Sequence, residues 1–299
     1  MTARARLRSV FVRPSRPLAL AETCLATLIW SSSFVIVKFG LQHIPPLTVA
    51  ALRFCLAAAL MAPFALRNRA GWAGLAGRVW LQLILLGVSA YAIGNGAVFW
   101  SLGFLPATTV SFVLSLSPLL VLIVSQVWLR ETPTWVQAGG VAITLGGSAL
   151  FFAPGLAAGE GKAMLVLAAG LIAFASFAVL GRQVARDRQT DTLTLTLAPI
   201  AFGGVLLLAF AVLVEGWPTI SATGWGIVAW LAVVNTAVAY FLYNHALQAL
   251  SALELNALLN LAPLGTAGFA WLLLGEGLSA GRLLGVAIVV AGVTLVQWK

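Results

Sequence analysis

The chain repeats its own sequence at an interval of 145 residues. Between Leu116 and Leu150, 11 of 35 positions are identical to the residues 145 positions later, without a gap. Leucine and alanine matches carry little weight in an apolar chain, but proline, glutamate and glycine matches in one register do. These are Pro118 with Pro263, Glu131 with Glu276, Gly140 with Gly285 and Gly147 with Gly292. We infer that one structural unit has been duplicated within the chain.

Composition assigns that unit to the membrane. A soluble domain carries about 25% charged residues, whereas this chain has 8% charged residues, 61% hydrophobic residues and a mean hydropathy of +1.03. The apolar runs are continuous, which indicates helices rather than barrel strands. At about 20 residues per span, the all-α polytopic chain is predicted to have ten: Leu18 to Phe39, Leu47 to Leu66, Val79 to Leu102, Ala107 to Leu129, Trp135 to Phe152, Lys162 to Arg182, Thr192 to Val214, Thr223 to Leu247, Leu253 to Leu274 and Ala280 to Trp298.

Each copy then holds five spans, and an odd number of spans forces the second copy to insert upside down. Inverted repeats of this kind are typical of secondary transporters, whose binding site lies between the halves. The predicted organisation is a basic tail (residues 1–17), a first five-helix repeat (18–152), a linker (153–161) and a second five-helix repeat (162–299).

The charge distribution predicts the orientation. With the N-terminus inside, 13 of the 17 basic residues lie on the cytoplasmic side: Arg4, Arg6, Arg8, Arg13, Arg16, Arg67, Arg69, Arg78, Arg130, Arg182, Arg186, Arg188 and Lys299. The positive-inside rule therefore predicts a multi-pass protein of the cell inner membrane with both termini cytoplasmic. The net charge of +9 is spread over separate loops, so it indicates insertion and contact with the lipid bilayer rather than nucleic acid binding.

The sequence offers no catalytic constellation. It has no glycine-rich phosphate loop, and Asp187 and Asp191 form a solvated loop without a second acidic pair to hold a metal. His43 and His245 have no predicted metal-ligand neighbour. We therefore expect no enzyme activity, no cofactor and no metal.

Polar side chains precede two repeat-related prolines, Pro118 and Pro263. They are Ser111 and Ser115 in the fourth span and Asn256 and Asn260 in the ninth. Proline disturbs the carbonyl four residues earlier, here Leu114 or Leu259, and a freed carbonyl beside a polar side chain suits the binding of a polar solute. The alternative is that these side chains only bond neighbouring helices, at about 1 kcal/mol each.

Other candidates lie at similar depth in the remaining spans. Tyr91 and Asn95 share a helix face, and Asn95 has Tyr240 as its repeat-mate. Lys38 is interpreted as snorkelling or pairing with a helix, with carboxylate binding as the rival, and Arg53 as snorkelling or pairing with a helix. The further candidates are Trp30, Ser33, Trp100, Phe174, Phe177, Asn235 and Tyr243.

Several of these segments resemble the EamA family of the drug/metabolite transporter superfamily. The resemblance is carried by Trp30-Ser31-Ser32-Ser33-Phe34 with Lys38, by Ala51-Leu52-Arg53-Phe54, and by two copies of proline, glutamate thirteen residues later and glycine nine after that. It covers nearly the whole chain after the tail. It implies ten helices with both termini cytoplasmic, a central cavity lined by helices one to four and six to nine, and peripheral helices five and ten. Ser31, where the family usually has glycine, and Ala175-Ser176-Phe177, which lacks the usual tryptophan, are departures.

The leading hypothesis is a bacterial inner-membrane exporter of neutral or aromatic amino acids, or of related small metabolites, that works by alternating access as a monomer or weak homodimer. Efflux of apolar drugs or other metabolites is the rival within transport. A membrane-embedded enzyme or assembly factor is the rival from another class. No acid is predicted at mid-depth, so flux is expected to follow the substrate gradient.

Overall fold

A computed structural model describes residues 13–40, 44–66, 72, 74–102, 104–105, 107–153, 161–188, 190–217, 219–274 and 279–298, and these residues form helices without strands. The helices, numbered by predicted span, are α1 (Arg16–Gly40), α2 (Pro46–Leu66), α3 (Gly77–Ser101), α4 (Ala107–Ser115 and Ser117–Trp128), α5 (Trp135–Phe152), α6 (Gly161–Arg186), α7 (Thr192–Glu215), α8 (Ala222–Ala246), α9 (Ala252–Leu259 and Ala262–Leu274) and α10 (Ala280–Gln297). Most of the predicted tail and linker, His43 and Glu276 lie outside the described residues.

Eight helices within the described residues are long and apolar enough to cross a membrane. They are α2 to α8 and α10, so the prediction of ten spans stays a prediction for α1 and for the divided α9. The predicted bounds agree with the observed ones to within two residues, except that α6 continues to Arg186. The apolar character of each span is continuous in the sequence, and this explains the agreement, because helix length in a bilayer is fixed mainly by hydrocarbon thickness.

The two halves share the same departures from regular helix. A π-helical segment, Val88–Gly94, interrupts α3, and a second, Val233–Val238, begins 145 positions later in α8. Likewise α4 is divided at Leu116 and α9 at Asn260 and Leu261, each directly before a repeat-related proline. The duplication has therefore kept the irregular segments as well as the helices. Segments of π-helix are frequent at functional sites.

Contacts at one end of the bundle show how the halves are oriented. Arg16, at the start of α1, donates to the carbonyl of Gln297 at 2.7 Å and lies 3.0 Å from Glu254 at the start of α9. At this same end Arg182, near the end of α6, contacts Leu247, which directly follows α8. We call this end, where α1 begins, the tail side. Because α6 is the repeat-mate of α1 and ends where α1 begins, the two copies run in opposite directions, as inverted repeats do.

Helices α5 and α10 pack tightly through glycine. A Cβ atom on Gly140 would lie 2.8 Å from the carbonyl oxygen of Gly292, and one on Gly292 would lie 2.5 Å from Thr144 Oγ1. A Cβ on Gly147 would meet the backbone of Val289 at 2.7 Å. Glycines on facing sides of α5 and α10 therefore let the two helices approach closely within one chain, in the manner of small-residue packing in membranes.

The main core lies between α2, α3, α7 and α8. Phe54, Leu83, Ile200 and Leu231 are fully buried there. The carboxylate of Glu215, at the end of α7, accepts hydrogen bonds from the backbone N–H groups of Leu47 and Thr48 at the start of α2. The negative side chain satisfies donors that a helix N-terminus leaves free, so it fixes α2 against α7.

Candidate functional site

A cavity of about 280 Å³ lies between the two halves. This size is near the lower end of ordinary small-molecule sites, roughly 300 to 1,000 Å³, and so suits a small solute. Its wall includes eleven of the fifteen side chains predicted from the sequence: Trp30, Ser33, Asn95, Ser111, Ser115, Phe174, Phe177, Tyr240, Tyr243, Asn256 and Asn260. Both repeats contribute side chains to this wall. The role of these eleven side chains in binding a solute stays a prediction.

Aromatic side chains form one wall of the cavity. The ring centroids of Trp30 and Tyr240 are 5.0 Å apart in an edge-to-face arrangement, and Phe177 stacks on Tyr243 at 5.6 Å. Tyr240 in turn contacts Tyr91 at 5.0 Å. These separations are favourable for aromatic pairs, so the wall is held in place by its own packing and presents rings to the cavity.

The divided helices α4 and α9 meet at their breaks. Leu119 N donates to Leu116 O, so the helix turn is tight and the Ser115 carbonyl is released from the regular helical pattern. That carbonyl accepts a 2.7 Å hydrogen bond from Asn260 Nδ2, so two repeat-mates bond each other directly. The carbonyl that bonds the polar side chain is thus that of Ser115, one residue after the Leu114 carbonyl expected from the sequence. The alternative also applies, since Asn260 bonds two helices together while it lines the cavity.

Asn235 has a structural position behind the cavity. Its side-chain Nδ2 donates to the backbone carbonyl of Ile29 at 2.6 Å, and the backbone carbonyl of Asn235 accepts from Trp30 Nε1 at 2.9 Å. Asn235 is buried and is not part of the cavity wall. It lies in the π-helical segment of α8, so this irregular turn orients the Trp30 ring.

Arg53 forms part of the cavity wall, although the sequence interpretation did not include it among the site residues. Only 8% of Arg53 is exposed, so it does not snorkel. Its Nη2 donates to Asn95 Oδ1 at 3.0 Å, which is the alternative of pairing with a helix. The guanidinium lies 4.6 Å from the centre of the Phe54 ring and 5.5 Å from that of Phe99. Among the described residues no carboxylate forms an ion pair with it, and its buried Nε has no hydrogen-bond partner.

The remaining predicted side chains lie elsewhere. Tyr91 is fully buried, with its ring 4.9 Å from that of Phe54, behind the cavity wall. Trp100 packs on Phe104 at 4.6 Å. The side chain of Lys38 lies outside the described residues.

Ion pairs connect the halves at the tail side. His245 Nδ1 lies 2.8 Å from Glu22 Oε1, a contact between helices that the sequence analysis did not predict. The pair joins α1 to α8. Two further pairs cross between the halves at this end, Arg16 with Glu254 and Arg182 with Glu131. Across the described part of the chain, no three His, Cys, Asp or Glu side chains are grouped closely enough to hold a metal.

These features define a multi-pass membrane transporter in which two related halves enclose a small cavity. The chain matches the EamA-like transporter family twice, over residues 18–153 and 161–298, and it belongs to that family.

The chain is similar to proteins of bacteria and archaea that are named as transporters or exporters. The chain is 27% identical to an S-adenosylmethionine/S-adenosylhomocysteine transporter of Chlamydia muridarum, over 94% of this chain and 92% of that protein. It is 27% identical to a probable terminal-alkyne amino-acid exporter of Streptantibioticus cattleyicolor, over 91% of each chain. A solved crystal structure aligns with a TM-score of 0.81 at 19% identity, covering 95% of this chain and 98% of the other. The family and the relatives indicate a drug/metabolite-type transporter rather than an enzyme, and the structural match supports the fold.

Proposed function

We propose that this protein exports neutral or aromatic amino acids, or related small metabolites, across the cell inner membrane by alternating access between its two halves. One observation carries the proposal. A cavity of about 280 Å³ combines an aromatic wall with amide and hydroxyl groups contributed by both repeats.

The chemistry of an amino acid fits this lining. A zwitterion needs donors for its carboxylate and acceptors for its ammonium group, and buried polar groups without such partners are costly. Asn95, Asn256 and Asn260 offer amide groups, and Ser33 and Ser111 offer hydroxyls that donate or accept. The aromatic wall suits an apolar or aromatic side chain.

The relatives support the same class of solute. S-adenosylmethionine, S-adenosylhomocysteine and an alkyne amino acid all contain an amino-acid group with a carboxylate. A cavity of the EamA family that recognises this shared group would differ between members mainly in the pocket for the remainder of the solute.

We propose that the tail side faces the cytoplasm. Arg130, Arg182, Arg186 and Arg188 lie at or next to helix ends on that side, in agreement with the positive-inside rule. Amino acids leaving the cell would enter the cavity from this side and leave after the halves have closed there and opened opposite.

The test is uptake of a labelled amino-acid panel into proteoliposomes, with Phe177→Ala as the cavity variant and Phe202→Ala as its control. Phe177 lines the cavity, whereas Phe202 is 41% exposed on the outer surface of the bundle. We expect saturable uptake of neutral or aromatic amino acids that Phe177→Ala reduces at least tenfold and Phe202→Ala leaves unchanged. Flux of cationic dyes alone would favour drug efflux, and the absence of saturable flux of any solute would remove the transporter proposal.

A further inference from the structure

The cavity wall contains one buried cation, Arg53, and none of the described residues supplies a carboxylate to pair with it. Arg53 is 8% exposed and lines the cavity, and its Nε is buried without a hydrogen-bond partner. None of the ion pairs between described residues includes it. Charged side chains at mid-membrane depth normally pair or face a water-filled cavity, because burial of an unpaired charge is costly. The cation therefore marks a place where an anionic group would be stabilised.

The surroundings hold the guanidinium in a fixed orientation. Asn95 Oδ1 accepts from Nη2, and Asn95 Nδ2 donates to the carbonyl of Ala90 at 2.7 Å, which fixes the amide. That carbonyl lies in the π-helical segment of α3. The rings of Phe54 and Phe99 flank the guanidinium carbon. An arginine held in this way keeps N–H groups available in a planar arrangement that matches the two oxygens of a carboxylate.

The cation is present in one half only. The residue 145 positions after Arg53 is Ala198, so the second half has no equivalent charge. The rings of Tyr240 and Tyr243, which also line the cavity, belong to the second half. An asymmetric cavity of this kind would bind a solute in one orientation. The anionic end of the solute would face α2 and its apolar end would face α8.

We propose that Arg53, positioned by Asn95, forms a carboxylate subsite that selects solutes bearing a carboxylate and disfavours cationic ones. This rests on the proposed function, because it assigns one end of the amino acid to one residue of the same cavity. It goes further in excluding a class of solutes: amines and amides that have the same apolar group but no carboxylate.

The test uses three matched ligands: phenylalanine, phenylalaninamide, which lacks the carboxylate, and 3-phenylpropionate, which lacks the ammonium group. Equilibrium binding is measured on purified, monodisperse protein for the parent, Arg53→Lys and Arg53→Gln. We expect Arg53→Gln to weaken phenylalanine and 3-phenylpropionate binding by about 10- to 100-fold, as expected for loss of a charge-assisted hydrogen bond. Binding of phenylalaninamide should be unchanged or stronger, because a positive charge has been removed. Arg53→Lys should give an intermediate loss, since it keeps the charge but not the planar donor pair.

Other outcomes overturn the inference in recognisable ways. Equal weakening of all three ligands by Arg53→Gln would show that Arg53 only supports the fold. Unchanged carboxylate binding would show that the subsite lies elsewhere. If the parent binds 3-phenylpropionate through Arg53 but no amino acid, the proposed amino-acid export fails while the carboxylate subsite stands. If the parent binds none of the three ligands, both fail.

Discussion

Removal of the ion pair between Glu131 and Arg182 should open the tail side of the transporter. Arg182 Nε donates to Glu131 Oε1 at 3.0 Å, and the same guanidinium donates to the carbonyl of Leu247. Both charged side chains are mostly buried, with 11% of Arg182 and 22% of Glu131 exposed. Glu131, in the segment that follows α4, belongs to the first half and Arg182, in α6, to the second, whereas the bond to Leu247 lies within the second half. The pair between Glu131 and Arg182 must separate before the halves can part at this side.

The partial exposure sets the expected magnitude. An exposed ion pair contributes about 0.2 to 1 kcal/mol, and breaking a fully buried one costs about 3 to 5 kcal/mol. We therefore expect Glu131→Gln to weaken tail-side closure by roughly 1 to 2 kcal/mol, a shift of about five- to thirtyfold in the equilibrium. Arg182→Gln removes the same pair between the halves, so it should have a similar effect; its bond to Leu247 lies within the second half. Asp187→Asn is the control, since its pair with Arg186 joins neighbouring residues that are 37% and 42% exposed.

The assay follows a single cysteine in the cavity wall. Ser111→Cys supplies the reporter in a background in which Cys24 and Cys55 are replaced by alanine, and inside-out vesicles present the proposed cytoplasmic side to an impermeant thiol reagent. The labelling rate should be higher in Glu131→Gln and in Arg182→Gln than in Asp187→Asn and the parent. Equal rates in all three variants and the parent would refute the argument that these contacts hold the tail side closed.

Three further outcomes are expected. Gly292→Leu should lower the thermal unfolding midpoint by several degrees, because its Cβ would lie 2.5 Å from Thr144 Oγ1, whereas Gly139→Leu, with open space around its Cβ, should not. An impermeant thiol reagent should label cysteines placed at Glu131 and Glu276 from opposite faces of the membrane, and labelling from one face would remove the inverted arrangement. Downhill flux should persist in Glu22→Gln, and an imposed pH step should not drive accumulation in the parent. Accumulation that this variant abolishes would instead identify Glu22 as a coupling site.

The helices and their breaks were predictable because they depend on local sequence. A long apolar run fixes a helix by length alone, and a proline interrupts it at a defined distance. Pro118 and Pro263 therefore marked where α4 and α9 are irregular, although each was predicted as one continuous span. The π-helical segments of α3 and α8 have no comparable signal, since Val88–Gly94 contains no proline and its composition is that of an ordinary span.

Polar side chains at equivalent positions of the two halves line the cavity, and their role in binding stays a prediction. Ser115 and Asn260 occupy equivalent positions, and the structure places both in the wall. Asn235 has the same side chain as Asn260 and a similar depth, yet it bonds α1 to α8 behind the cavity. Composition and depth do not distinguish these two roles, because the rotation of each helix about its axis is set by contacts with its neighbours.

The environment of Arg53 was also not predictable from local sequence, and this residue was left out of the predicted site. Its distance from the end of α2 is compatible with snorkelling, and no local feature states that Asn95, 42 residues away, lies within 3.0 Å. Likewise the contact between Glu22 and His245 joins residues separated by 223 positions. Both are contacts between helices that only the assembled bundle brings together.

Arg53 and the pair of Glu22 with His245 lie at different places in the bundle. Arg53 lines the cavity, whereas the pair joins the halves at the tail side. The charged side chain in the cavity wall is the guanidinium of Arg53, and among the described residues no carboxylate or histidine lines the cavity. The pair of Glu22 with His245 instead joins α1 to α8 at the tail side, about two helical turns from Trp30. Glu22→Gln would weaken an attraction between the halves without removing a group from the cavity wall. This variant is therefore expected to alter how often the tail side opens, and so the transport rate, while the affinity of the cavity for a neutral amino acid stays constant.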